Sequence, residues 1–414
     1  MDKVTAIKTR STLNNDLFPI RPSQSMRILV ASHTYIVDIN REKFKILANL
    51  EPDIEVTVVV PQRWKPGGVQ NKIIETQFYQ KGSFKVVPVS NFSQNNQGLL
   101  TFGTDLIDVL QKIKPQIIQV EQGSKSIACA QSILLNKLLK LQAKNILFTW
   151  WNLPYQLNWP VSVLENYNLQ HTDGIIAGNL DGAKILRQRG YHGAVKVMPQ
   201  LGVDETLFRR TGKDADLSRR FGIEPTDFVV GFVGRFVEEK GLLTLAEALA
   251  GLKKNSWKWL LVGQGKLRAH LAEKCREWGI SDRIIWVESV SHEEIPPYIN
   301  LMNCLVLPSQ TSYKFKTLTA VGWKEQFGHV LIEAMACHIP VIGSDCGEIP
   351  HVIGDAGLLF PEGNAGVLRE CLQKLMERRE LGADLGDRGY QRAMSNYTNK
   401  ALAEQLLEFY NELL

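Results

Sequence analysis

Short runs of β-branched and other apolar residues alternate with amphipathic stretches along this chain. In the first half, RILVAS (27–32), EVTVVVP (55–61), FKVVPV (84–89), QIIQVE (116–121), NILFTW (145–150), GIIAG (174–178) and VKVMP (195–199) predict strands. Helices are predicted between them, as over 40–50, 125–142 and 179–189. The pattern restarts with FVVGFVG (228–234), WKWLLVG (257–263), RIIWVE (283–288), CLVLPS (304–309), PVIGSD (340–345) and GLLF (357–360). Such alternation builds βα units on parallel sheets, so two doubly wound α/β domains in series are expected. Gly and Asp break the pattern in PQLGVDETLF (199–208), which sets the junction. The expected division is a polar tail over 1–25, an N-terminal Rossmann-like domain over 26–203 and a C-terminal one over 204–390. A last helix, within 391–414, is expected to pack back toward the N-terminal domain. Met26 stands directly before the first strand and is a second candidate start.

A length of 414 residues suits two cores, and 44% hydrophobic with 22% charged residues reads as globular. No apolar run approaches the roughly 18 residues of a membrane span. The first residues lack an apolar segment of the secretory kind, so a cytoplasmic location is expected. The six cysteines are scattered without a C-x-x-C or a zinc spacing, which predicts buried, reduced thiols and no metal site. Charge is uneven: residues 1–200 carry 23 Lys/Arg against 14 Asp/Glu, whereas 201–414 carry 25 against 29. The basic half suggests an anionic partner, with peripheral attachment at the inner face of a membrane as the concrete form. Nothing suggests nucleic-acid binding.

Candidate chemistry concentrates after the strands of the second half, where ligands bind in doubly wound folds. GRFVEEKG follows the first of them and places Arg235 and Lys240 at a strand-to-helix turn, with Gly234 and Gly241 allowing close backbone approach. In KEQFGHVLIEAMACHIPVIGSDCGEIP (324–350), Glu325 and Glu333 stand eight positions apart, the second among Val330, Leu331, Ile332, Ala334 and Met335. A carboxylate in such a run costs several kcal/mol unless a polar partner meets it. If a helix begins near Gly328, the amides of Gly328, His329 and Val330 are donors at the positive end of its dipole. Diphosphate on those amides and the two cations, ribose on Glu333 and sugar hydroxyls on Glu325 would satisfy every group. The alternative is a structural carboxylate bonded to a neighbouring loop.

These segments, with VGQG, LPS and GEIPHVIGDAGLLFPEGN, resemble the C-terminal domain of family 4 glycosyltransferases, retaining enzymes of the GT-B fold. The likeness is dense over 228–364 and looser over 26–205, where MRILVASH, AGNLDGAKIL and PQLGVDETLF carry it. It implies two Rossmann-like domains facing each other across a cleft. It also implies transfer of a sugar, without metal or other cofactor, from a nucleotide-diphosphate sugar to a glycan or lipid-linked acceptor in cell-surface polysaccharide synthesis. Arg235, Lys240 and Glu325 take the catalytic roles. The donor side adds Gly234, Ser289, Val290, Phe327, Gly328, His329, Val330 and Glu333. The acceptor side is assigned His33, Tyr35, Glu121, Trp151 and Asn152.

The chain departs from that family mainly on the acceptor side. SHTYIVDINREKF has no glycine where many members have a Gly-Gly loop, and FTWWNLP puts Trp151 or Asn152 where many have His. His338 ends the helix of the second glutamate in place of Gly, in a left-handed position that His tolerates. Residues 310–324 form a long loop able to cover the donor. Trp150, Trp151 and Trp159 offer a sugar-stacking wall or inter-domain core. DAD (214–216) precedes an amphipathic helix and is a helix cap instead of a metal motif, and GQGKLR lacks the third glycine of a dinucleotide site. The competing functions are a nucleotide-sugar epimerase of the same fold and a non-catalytic partner subunit.

Overall fold

The computed structural model describes residues 25–65, 72–252, 255–316 and 321–414. The expected tail, apart from Ser25, lies outside the described residues, as does part of the long loop at 317–320.

An eight-stranded sheet forms the N-terminal domain in the spatial order Ala194–Val197, Gly174–Ala177, Lys144–Thr149, Ile117–Val120, Met26–Ala31, Ile54–Pro61, Phe84–Val89, Tyr79–Lys81. All pairs are parallel except the last, where Tyr79–Lys81 runs antiparallel along the edge. A six-stranded parallel sheet forms the C-terminal domain in the order Ile284–Val287, Trp257–Val262, Phe228–Val233, Cys304–Leu307, Val341–Ser344, Gly357–Phe360. Both sheets reverse direction of winding beside their first strand. The switch points therefore lie between Met26–Ala31 and Ile117–Val120, and between Phe228–Val233 and Cys304–Leu307.

Helices cover both faces of each sheet, which is why the central strands read as continuous apolar runs and not as alternation. Ile28, Val30, Val58, Val86 and Ile118 are buried in one core, and Val230, Phe232, Trp259, Leu261 and Leu305 in the other. Each such side chain contributes about 1.5–3 kcal/mol. The six cysteines are buried free thiols. Among the described residues no helix is long and apolar enough to cross a membrane.

Helix Arg379–Asn396 runs without a break past residue 390, where the domain boundary was expected, and packs on helix His329–Ala336. The chain crosses back at Tyr397, whose carbonyl accepts from the Val203 amide (2.8 Å), and at Asn399, whose amide donates to the Val203 carbonyl (3.2 Å). Helix Asn399–Leu413 then buries Leu402, Leu406, Phe409 and Tyr410 in the N-terminal core. His338 adopts the left-handed conformation (φ 58°), with its ring stacked on Tyr390 and Nδ1 2.8 Å from Asp387. Asp214 caps helix Ala215–Arg220 by accepting from the amides of Asp216 and Leu217.

The carboxyl ends of the two sheets meet. Asn152 Nδ2 donates to the Glu325 carbonyl (3.0 Å), the Leu180 amide donates to Glu348 Oε2 (2.9 Å), and Lys324 pairs with Asp181 (3.1 Å).

Candidate functional site

Helix His329–Ala336 starts from Gly328, which has no capping side chain and sits at φ 85°. A Cβ there would lie 2.7 Å from Leu307 Cδ2, so both conformation and space require glycine. The first amides of this helix, lacking a side-chain cap, are donors held at the switch point of the C-terminal sheet.

Glu325 lies in the loop just before that helix and is 7% exposed. Its Oε2 accepts from Lys240 Nζ at 2.5 Å and from Ser309 Oγ at 2.7 Å. Its backbone is fixed on three sides: the amide faces Cys346 Sγ at 3.5 Å, and the carbonyl accepts from the Glu348 amide at 3.1 Å and from Asn152. Gly347, at φ 59°, passes so close that a Cβ would stand 2.0 Å from that carbonyl. Lys240 also lies over the Trp323 ring, 5.1 Å from its centroid. The lysine expected on the diphosphate and the carboxylate expected on the sugar are thus ion-paired with each other. Arg235, at the end of Phe228–Val233, is exposed.

Glu333 is not submerged in the core. The apolar neighbours Leu331, Ile332, Ala334 and Met335 are buried, but the glutamate points to the rim, where its Oε1 lies 2.9 Å from His292 Nε2. His292, which no sequence signal singled out, is the polar partner the carboxylate needed, and that hydrogen bond raises the imidazole pKa. The His292 ring also lies 5.0 Å from Phe208. Between the two glutamates sits His329, whose pKa is lowered by burial. Its Nε2 is shielded from solvent and has no hydrogen-bond partner among the described residues. Phe327 is buried and packs edge-on against His329 (5.1 Å) and against Tyr397 (5.5 Å). Ser289 is exposed and Val290 half-buried in the loop after Ile284–Val287, directly ahead of His292.

On the facing domain the structure corrects two expectations. Tyr35 (0% exposed) and Glu121 (3%) do not line the cleft. The Tyr35 hydroxyl donates to Glu121 Oε2, which also accepts from Gln200 Nε2 at 2.7 Å, while Gln119 Nε2 donates to Oε1 at 2.6 Å. Tyr410 of the returning helix donates to Gln119 (2.7 Å), and buried Lys43 donates to the Gln200 carbonyl (2.6 Å). These groups form a satisfied internal network that fastens the last helix to the first switch point. Trp159 is 80% exposed and so is not part of an inter-domain core. Trp150 is half-buried, bonded through Nε1 to Gln200 Oε1 (3.0 Å) and tilted against Phe327 of the other domain at 6.3 Å.

His33 remains at the switch point. Its Nδ1 faces the Gln122 amide group, its ring lies 5.0 Å from Trp64, and burial pushes its pKa down to about 4, so it is neutral near pH 7. Trp151 is half-buried, with its Nε1 donating to the Leu153 carbonyl and Lys125 Nζ 4.7 Å from its ring centroid. Asn152 is buried and spends its amide on Glu325, so it reaches the donor side only through that backbone.

Residues 214–392 match the family described as Glycosyl transferases group 1. The alpha-D-kanosaminyltransferase of Streptomyces kanamyceticus is 26% identical over 203 residues, covering 48% of this chain and 49% of that protein. The chain spans about half the length of the first curated relatives it matches. Among solved structures, sucrose-phosphate synthase from Thermosynechococcus elongatus superposes with a TM-score of 0.67 at 20% identity, covering 93% of this chain and 98% of the other. HepE of Anabaena, solved in complex with UDP, gives 0.67 at 16% identity, covering 94% and 100%. These likenesses establish the fold as GT-B, two Rossmann-like domains joined across a cleft.

Proposed function

We propose, from the match of residues 214–392 to the glycosyl transferases group 1 family, that this chain moves a sugar from a nucleotide-diphosphate sugar to a glycan or lipid-linked acceptor, with retention at the anomeric carbon and without a metal. The carrying observation is the cluster at one switch point: an uncapped helix start at Gly328, Glu325 held on Lys240 and Ser309, and Glu333 on the rim beside His292.

The diphosphate lies on the first helix amides with Arg235 alongside. Lys240 turns from Glu325 toward the developing charge as the sugar bond lengthens. The helix amides, already in place, stabilise that charge at no cost of reorganisation, and Lys240 adds to them at the cost of its pairing with Glu325. Glu325, its backbone fixed, orients the sugar through hydroxyl hydrogen bonds, and Glu333 holds the ribose. The acceptor enters from the N-terminal domain past His33 and Trp151. In the retaining route a departing phosphate oxygen takes the acceptor proton on the same face, so no side-chain base is required. HepE, solved with UDP and with UDP-glucose, shares this fold and makes uridine the first base to test.

Incubation with UDP-, GDP- and ADP-sugars tests the reading. Nucleotide release that rises with added acceptor supports it. Isomerised sugar nucleotide formed without acceptor marks an epimerase, and inertness with intact binding marks a partner subunit.

A further inference from the structure

An antiparallel hairpin, Ser312–Lys316 with Val321–Trp323, stands beside the donor-side cluster. Its Phe315 is 54% exposed. Between this hairpin, the turn at Val237–Glu239 and the start of helix Arg268–Glu277 runs a groove of about 520 Å³, within the usual size of a ligand site. Phe315 and Trp323 give it aromatic walls, and Leu267 and Val237 an apolar floor. Its charged lining cancels: Lys266 and Lys314 against Glu238 and Glu239. Lys314 is ion-paired with Glu238, which ties the hairpin to the turn that carries Lys240.

The groove is continuous with the cleft. Trp323 lies under Lys240, the partner of Glu325. Gly322 packs against Leu153 of the N-terminal domain, where a Cβ would come within 2.9 Å of Leu153 Cδ1, and Leu153 directly follows Trp151 and Asn152. A surface with exposed ring faces, many hydrogen-bonding ends and no net charge is poorly matched to a polyanion. It suits a neutral chain that presents C–H faces to the rings and hydroxyls to the lysines and glutamates.

We propose that this groove binds a neutral segment of the acceptor glycan, so that the C-terminal domain holds the acceptor's far sugars while its near sugar lies in the cleft. The inference rests on the transferase reading given above, but its test is separable from it. Saturation-transfer NMR on the full chain, with neutral gluco-, galacto- and manno-configured tetrasaccharides as probes, reads the groove, and titration of the same samples with UDP, GDP and ADP reads the donor site. At least one tetrasaccharide is expected to bind, about tenfold more weakly in Phe315→Ala, with a loss also in Lys266→Ala; both residues lie at the surface, where folding tolerates change. Binding should persist in Glu325→Gln. Failure of every tetrasaccharide to bind, or binding indifferent to Phe315→Ala and Lys266→Ala, overturns the proposal. So does transfer of the Phe315 effect to anionic vesicles alone. Phe315-dependent sugar binding without binding of UDP, GDP or ADP upholds the groove and removes the donor reading.

Discussion

Replacing Glu325 by Gln keeps its shape but removes the charge that Lys240 meets at 2.5 Å. Both side chains are largely withdrawn from water, so a lone lysine there is left partly desolvated. Breaking a buried pair from one side costs about 3–5 kcal/mol, and this pair, near the rim, should fall at or below the lower end of that range. Ser309 can still donate to the Gln oxygen, which limits the structural loss. For turnover, a hydrogen bond to a charged group is worth about 1.5–3 kcal/mol, so kcat should drop about ten- to a hundredfold and more than KM rises. The assay is steady-state nucleotide release at saturating donor, with thermal unfolding of the same preparations. A double-mutant cycle with Lys240→Met sharpens it: because the two groups are ion-paired in the resting protein, the double variant should lose little more stability than the poorer single variant. Additive losses of stability, or a Glu325→Gln protein that turns over like the parent, would overturn these assignments.

Glu333→Gln should raise donor KM with kcat little changed, since a ribose contact is the same in ground and transition states; equal loss of kcat in a steady-state titration contradicts it. Glu348 is pushed up to about 7 by burial, so the folded state binds its proton more tightly than the unfolded state, with its ordinary value of 4.5. Its contribution is therefore fully present below about pH 4.5 and is lost as pH rises to about 7. Relative to the parent, Glu348→Gln should gain stability on crossing that window in chemical-denaturation curves, and a difference flat with pH would disprove it. Chelator treatment should leave activity intact, because Arg235, Lys240 and the helix start supply the positive charge; loss restored by Mg²⁺ or Mn²⁺ would count against that site. Binding to anionic vesicles at low salt should fall steeply as salt is added if the basic N-terminal half meets a membrane, and indifference to vesicles would remove that partner.

The parallel strands were legible because each is buried on both faces, which forces apolar runs such as Val58–Val60. Tyr79–Lys81 was not, since an exposed edge strand needs no apolar side chain at all. The paired strands Ser312–Lys316 and Val321–Trp323 were hidden for a related reason: Tyr313, Lys314, Phe315 and Lys316 are all exposed and follow no burial rhythm. Glu325, Glu333 and the helix start between them are local in sequence, and their spacing alone put them at one helix end. Their partners are not local. His292 meets Glu333 across 41 positions, and Asn152 reaches Glu325 across 173. Tyr35 and Glu121 show the converse error: a position after a strand at a switch point is where ligands gather, but helix Asn399–Leu413 returns from the far end of the chain and helps seal it.

Crystals of the protein grown with a nucleoside diphosphate address the donor site most directly. Diphosphate oxygens are expected on the first amides of helix His329–Ala336, Lys240 swung from Glu325 toward them, and ribose hydroxyls on Glu333 with His292 retained on its other oxygen. A nucleotide bound elsewhere, or a Lys240–Glu325 pair undisturbed beneath an occupied site, would contradict this placement.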